Sequence, residues 1–181
     1  IAGFYSIAMS QLIITAVGPD RPGLVGELTA HLHAAGANLL DSRMVNLRGQ
    51  FAMMILLDAP PAANLPRDLP GLGKTIGLTL TVSEQKPAPP AKPGLKFQLK
   101  TYSFDQPGIV ARLSSILREH AVNIEDLSTR QESAPFDGGT LFLTNMRITV
   151  PAGVPINELR QKLTAICNQL NCDLDFEPET R

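Results

Sequence analysis

The sequence predicts an α+β protein made of two βαββαβ units in tandem, each a four-stranded antiparallel sheet with two helices on one face. Three observations lead there. First, the chain repeats itself. Gly18-Pro19-Asp20-Arg21-Pro22-Gly23-Leu24-Val25 returns as Ser103-Phe104-Asp105-Gln106-Pro107-Gly108-Ile109-Val110, each residue 85 positions later. Leu28 and Leu113, Leu32 and Leu117, Asn38 and Asn123, and Asp41 and Asp126 keep that register. A repeat of this length signals duplicated structural units. Second, each copy stands between an apolar run of strand type and an apolar stripe of helical period. Third, a proline-rich segment, Gln85 to Gly94, separates the copies; such composition favours an extended, semi-rigid linker. The first unit is therefore expected over 10–84 and the second over 95–178. Residues 1–9 read as an added extension leading into a start at Met9, without the basic region and cleavage site of a secretory leader.

In the first unit, Leu12 to Val17 is nearly all apolar and reads as a strand buried on both sides. The turn cluster Gly18 to Gly23 ends it. Leu24, Leu28 and Leu32, flanked by Val25 and Ala35, form the stripe of a helix that Gly36 stops. Asn38 to Leu47 and Phe51 to Leu57 read as a hairpin turned at Arg48-Gly49-Gln50. After a loop over Asp58 to Asn64, a short helix is expected from near Pro70 to Ile76, since proline suits a first turn and not an interior. Its buried side would be Leu69, Leu72 and Ile76. Leu78, Leu80 and Val82 alternate with polar residues as the last strand.

The second unit repeats the order. Leu95, Phe97 and Leu99 alternate as a half-buried strand, and a helix carries Ile109, Leu113, Ile116 and Leu117 on one face. Val122 to Gln131 returns as a strand. A long loop over Glu132 to Gly139 replaces the tight turn of the first unit, an insertion that costs little closure entropy. Phe142, Thr144, Met146, Ile148 and Val150 give the third strand its inner face. Ile156, Leu159, Leu163, Ile166 and Leu170 line the second helix, and Leu174 and Phe176 close the unit. This order is the ferredoxin-like arrangement.

Composition narrows the function. The chain has 181 residues, 44% hydrophobic and 18% charged, with a formal net charge of −1. That is ordinary globular composition, and it lacks the clustered basic charge that direct nucleic-acid binding requires. No apolar run approaches the length of a membrane span. Cys167 and Cys172 lie five apart, which does not put them on one helix face, and they read as reduced thiols of a cytoplasmic protein. His31 and His33 point to different helix faces and His120 stands alone, so no metal cluster follows from spacing. Gly71-Leu72-Gly73-Lys74-Thr75 resembles the end of a phosphate-binding loop, but Asp68 stands where that pattern needs glycine. Neither a catalytic arrangement nor a cofactor motif is visible, and an enzyme is not expected.

The repeated Asp-x-Pro-Gly turn admits two readings. It could be purely structural, with proline rigidifying the turn and glycine allowing a close helix start. It could equally bind a ligand, because a helix N-terminus offers unpaired N–H groups and partial positive charge to a carboxylate. Asp20 and Asp105 could pair with an ammonium group or bond to nearby backbone N–H groups. Asn38 and Asn123 could contact a ligand or only the neighbouring chain.

Two units that each carry Asp-x-Pro-Gly-(Leu/Ile)-Val between first strand and helix, with Asn opening the next strand, resemble tandem ACT domains over the whole span from Ser10 to Glu177. Gly18 to Val25 and Gly36-Ala37-Asn38-Leu39-Leu40-Asp41 carry the resemblance most specifically. The subfamily it most resembles is the glycine cleavage system transcriptional repressors. The resemblance implies a small-amino-acid sensor, with glycine one candidate ligand, that contacts a DNA-binding transcriptional activator and associates through its sheets. It implies ligand-binding residues Asp20, Arg21, Pro22, Gly23, Leu24, Val25, Asn38 and Leu39, and their counterparts Asp105, Gln106, Pro107, Gly108, Ile109, Val110, Asn123 and Ile124. Gln106 replaces Arg21 and Ser103 replaces Gly18, so the two loops need not bind the same ligand. The alternative is a ligand-independent interaction module.

Overall fold

A computed structural model describes residues 9–86, 93–133 and 139–179. The chain divides into two compact units. The first contains β1 (Ser10–Pro19), α1 (Leu24–Ala34), β2 (Asn38–Leu47), β3 (Gln50–Ala59), α2 (Leu65–Ile76) and β4 (Thr79–Glu84). The second contains β5 (Gly94–Phe104), α3 (Ile109–Glu119), β6 (Asn123–Ser133), β7 (Thr140–Pro151), α4 (Ile156–Gln169) and β8 (Cys172–Pro178). Both sheets are antiparallel, in the orders β2-β3-β1-β4 and β6-β7-β5-β8. These are two ferredoxin-like α+β domains.

The repeat extends to backbone irregularities that side-chain matching does not reach. Each second strand carries a bulge at the same place, between Leu39 and Asp41 and between Ile124 and Asp126. Each first helix is preceded by a left-handed glycine, Gly23 at φ 96° and Gly108 at φ 95°. An L-residue there brings its Cβ against backbone, which is why the turn is written Pro-Gly in both copies.

The cores sit between sheet and helices. Leu12, Ile14 and Ala16 of β1 meet Leu24, Leu28 and Leu32 of α1, together with Phe51, Ile55 and Leu57 of β3. Phe97 and Leu99, Ile109, Leu113 and Leu117, Met146 and Ile148, and Leu159 and Leu163 form the second core. Phe97 stacks on Phe176, with ring centroids 4.7 Å apart.

Several expectations change. β1 is covered on one face only, and Val17 is 50% exposed; helices lie against a single side, so the other face of an apolar strand stays open. Leu95 is likewise exposed at the start of β5, while Phe97 and Leu99 are buried. Val25 faces away from the core. β3 runs through Asp58 and Ala59, and β6 through Glu132 and Ser133, where loops were expected. Helix α2 begins at Leu65, five residues early, with Pro70 inside it. Pro70 forgoes one amide hydrogen bond, but Leu65 and Leu69 are both buried, and that packing outweighs the local penalty. Gly71 to Thr75 therefore lies in a helix and not in a phosphate loop. Cys167 ends up on α4 and Cys172 on β8, both buried and free. The expectations for residues 1–8, for the linker stiffness over 87–92 and for 134–138 of the long loop lie outside the described residues.

Candidate functional site

The site starts from where β1 stops. Gly18 and Pro19 pair with Phe51 and Gln50, so the chain leaves the sheet beside the β2–β3 turn. There the Asp20 amide donates to the Gly49 carbonyl at 2.8 Å. Asn46, near the end of β2, ties both sides: its amide nitrogen donates to Asp20 Oδ2, and its Oδ1 accepts the Gly49 amide at 3.1 Å. The second unit builds the same brace. The Asp105 amide donates to the Thr140 carbonyl at 2.9 Å, and Gln131 Nε2 donates to Asp105 Oδ2 at 2.7 Å.

Asn46 and Gln131 were not among the residues singled out from the sequence, although they stand in the same register as the rest of the repeat. An amide at matching positions of both copies is the signal that could have found them. Each holds a carboxylate in place without neutralising it.

Arg21 forks onto Glu27 with contacts of 2.6 and 2.7 Å, and reaches the Ile76 carbonyl at the end of α2 at 3.4 Å. The hydrogen bond from Arg21 holds the Glu27 carboxyl below the usual carboxylate range. Gln106 reaches the corresponding place, donating to the Leu170 carbonyl at the end of α4. The two unlike residues thus share one contact: each ties the loop to the C-terminus of the second helix.

Gly23 and Gly108 open α1 and α3 with no side-chain cap on either. The first amides of each helix are therefore left without an intrahelical acceptor. In the first unit these amides border a cleft of about 360 Å³ lined by Asp20 to Gly26, with Met44 and Phe51 as its floor. A braced carboxylate, uncapped helix amides and an apolar floor suit a small zwitterion: ammonium toward Asp20, carboxylate toward α1, side chain over Met44.

The other candidate residues lie elsewhere. Asn38 pairs with Asp58, and Pro19 with Gln50, on the same strand β3. Eight residues of β-strand separate those ends, about 27 Å at ~3.4 Å per residue. Asn123 and Phe104 are separated in the same way along β7, through Thr149 and Leu141. Within one unit the structure does not bring Asn38, Leu39, Asn123 or Ile124 to the loop. Asn123 instead donates to Glu125 at 2.9 Å. A somewhat larger and less open concavity of about 410 Å³ lies on the open face of the second sheet, lined by Lys100, Tyr102, Ser128, Thr129, Arg130, Leu143, Thr144 and Asn145, with no loop residue in it.

Comparison with known proteins bears on the fold and the family. Residues 10–83 match the ACT domain family model. The chain is 28% identical to the glycine cleavage system transcriptional repressor of Escherichia coli over 88% of its length and 85% of that protein. It is 33% identical to a UPF0237 protein of Methanococcus maripaludis over 42% of its own length and 90% of the relative. The crystal structure of an unknown protein from Galdieria sulphuraria superposes with a TM-score of 0.81 at 25% identity, covering 96% of this chain and all of that one. The chain therefore belongs to the ACT-domain family, as a tandem of two ACT units that resembles the glycine cleavage system transcriptional repressors.

Proposed function

We propose that this protein is an amino-acid-sensing regulator, not a catalyst, whose ligands seat at the β1–α1 and β5–α3 loops. The observation that carries the reading is the pairing of a braced aspartate with an uncapped helix start in both units. Opposite charges at the two ends of the cleft match the α-ammonium and α-carboxylate that every amino acid presents. On this reading Asp20 and Asp105 hold the ammonium. The loop residues Arg21 to Val25 and Gln106 to Val110 shape the site. Asn38, Leu39, Asn123 and Ile124 contribute only where another copy of the chain supplies them.

The finer role is drawn from the similarity to the E. coli repressor: control of glycine cleavage genes by contact with a DNA-binding activator, with glycine one of the ligands sensed. A formal net charge of −1 fits a protein that meets its activator without holding DNA itself. For ligand to alter that contact, it must bind two states of the protein unequally.

One feature favours the alternative, a ligand-independent assembly module. β2 is an edge strand exposed along its whole length, and it carries Leu39, Leu40, Met44, Val45 and Leu47. Such an edge is a template for pairing with another chain, and homo-oligomers formed through the sheets follow from it.

Titration calorimetry with glycine and the other amino acids separates the readings. Binding that falls at least tenfold in Asp20→Ala or Asp105→Ala supports the sensor. Absence of binding by any amino acid, with activator contact intact in both variants, establishes the module instead.

A further inference from the structure

The two units are alike in backbone but unlike in the floor beneath their loops. In the first, the floor residue Met44 heads a cross-strand row that continues into the core through Met53 and Ala16, all apolar. In the second, the same register positions are Thr129, Thr144 and Thr101. Ser103, where the first unit has Gly18, stands two residues further along β5. Thr101 is 0% exposed, Thr144 2% and Ser103 6%, and none of their hydroxyls has a hydrogen-bond partner among the described residues. Thr129 is exposed at the edge. A line of hydroxyls thus runs from the rim of the sheet into the interior, on the face that carries α3, one strand pair below the loop of Asp105.

Buried hydroxyls without partners are rare in folded proteins, and three together in one layer of one core ask for a partner that the described residues do not supply. We propose that the second unit selects an amino acid with a hydroxyl-bearing side chain, through the Thr129–Thr144 row, while the first unit takes an apolar side chain over Met44 and Phe51. This rests on the reading of the loops as amino-acid sites and adds the side-chain class to it. A threonine hydroxyl both donates and accepts, so the row matches a ligand hydroxyl. A methyl or hydrogen in its place leaves the row unpaired, which is the situation in which polar sites discriminate most strongly.

The test uses the full chain with L-serine and L-alanine as probes. With the first site silenced by Asp20→Ala, serine should bind at least tenfold more tightly than alanine, and Thr129→Val or Thr144→Val should bring the two within about threefold. With Asp105→Ala instead, alanine should bind at least as well as serine. Equal affinities in the Asp20→Ala protein, or a serine preference that survives both valine substitutions, overturns the selectivity and leaves the loop reading standing. Absence of binding by any amino acid overturns both. A second measurement does not depend on ligand. Thr144→Val keeps the side-chain shape and removes an unpaired hydroxyl, so the melting temperature of the free protein should hold or rise; a fall shows the hydroxyl satisfied in the free protein and overturns the proposal.

Discussion

One added methyl group should act in opposite directions at two glycines, Gly108 just before α3 and Gly26 inside α1. Gly108 has φ 95°, and beyond its own and adjacent residues a Cβ there would meet nothing within 4 Å. Gly108→Ala therefore isolates the backbone term. Placing an L-residue in the left-handed region costs about 1–2 kcal/mol. The loss of chain entropy in the unfolded state returns about 0.4–1 kcal/mol. The net is a destabilisation near 1 kcal/mol. Gly26 also has open space around its Cβ, but it lies within α1 and shows no left-handed φ. There the same methyl should stabilise by about 0.5–1 kcal/mol, the usual advantage of alanine over glycine in a helix. Gly23→Ala should follow Gly108→Ala, with Glu27 Oε1 at 3.2 Å from the new Cβ shifting aside. Amide hydrogen exchange on the full chain resolves the units separately, and calorimetry should place the shifts at about 4–8 °C per kcal/mol for a unit of this size. Equal signs at Gly108 and Gly26 would falsify the claim that the Pro-Gly step is required by backbone conformation.

Further substitutions test the brace, the second helix and the thiols. Asn46→Ala should weaken amino-acid binding in the first unit, and Gln131→Ala in the second, by about threefold to tenfold, since each removes a hydrogen bond to a charged group worth ~1.5–3 kcal/mol before solvent exposure discounts it; calorimetry with each variant reads the effect. Pro70→Ala should stabilise the first unit by about 2 kcal/mol in urea unfolding, because it restores an amide inside α2 where proline costs ~3 kcal/mol and offsets that by up to ~1 kcal/mol in the unfolded chain. Burial, with Cys172 nearby, pushes the Cys167 thiol up to about 11. Its alkylation at pH 8 should therefore be about a hundredfold slower in the native protein than in guanidinium. Because the folded value is raised, that stabilisation is complete below the ordinary thiol value near 9 and is lost as pH rises toward 11.

What was legible in the sequence follows from which forces act locally. The repeat, the strand and helix periods and the helix starts at Leu24 and Ile109 depend on near neighbours, and they stand as expected. Helix α2 does not: Pro66 and Pro70 argue locally for a late start, and only the core positions of Leu65 and Leu69 reverse that. The open face of β1 was illegible for a related reason, since an apolar run does not say how many of its sides a two-layer fold will cover. At the candidate site, Asp20 and Asp105 stand out in the sequence because they sit inside the conspicuous turn. Asn46 and Gln131 were missed because they reach the loop only once β2 folds back along β3.

The difference between Arg21 and Gln106 looks, in sequence, like the place where the two copies part company. In the structure both side chains end on a carbonyl at the close of the second helix, Ile76 or Leu170. Arg21 adds an ion pair with Glu27, and the counterpart of Glu27 is Arg112, so a second arginine in place of Gln106 would set like charges together. The exchange thus preserves loop anchorage while accommodating a reversed charge on the first helix. On the proposed reading of the loops, divergence in ligand chemistry would come from the residues beneath them, headed by Met44, which lines the cleft of the first unit. Met44 has become Thr129, Met53 has become Thr144 and Ala16 has become Thr101, with the backbone register unchanged. The exchanges leave the fold unaltered: Thr129 lies exposed on the edge strand β6, and Thr144 and Thr101 stand buried on the central strands in place of the core residues Met53 and Ala16, with the strand pairing kept.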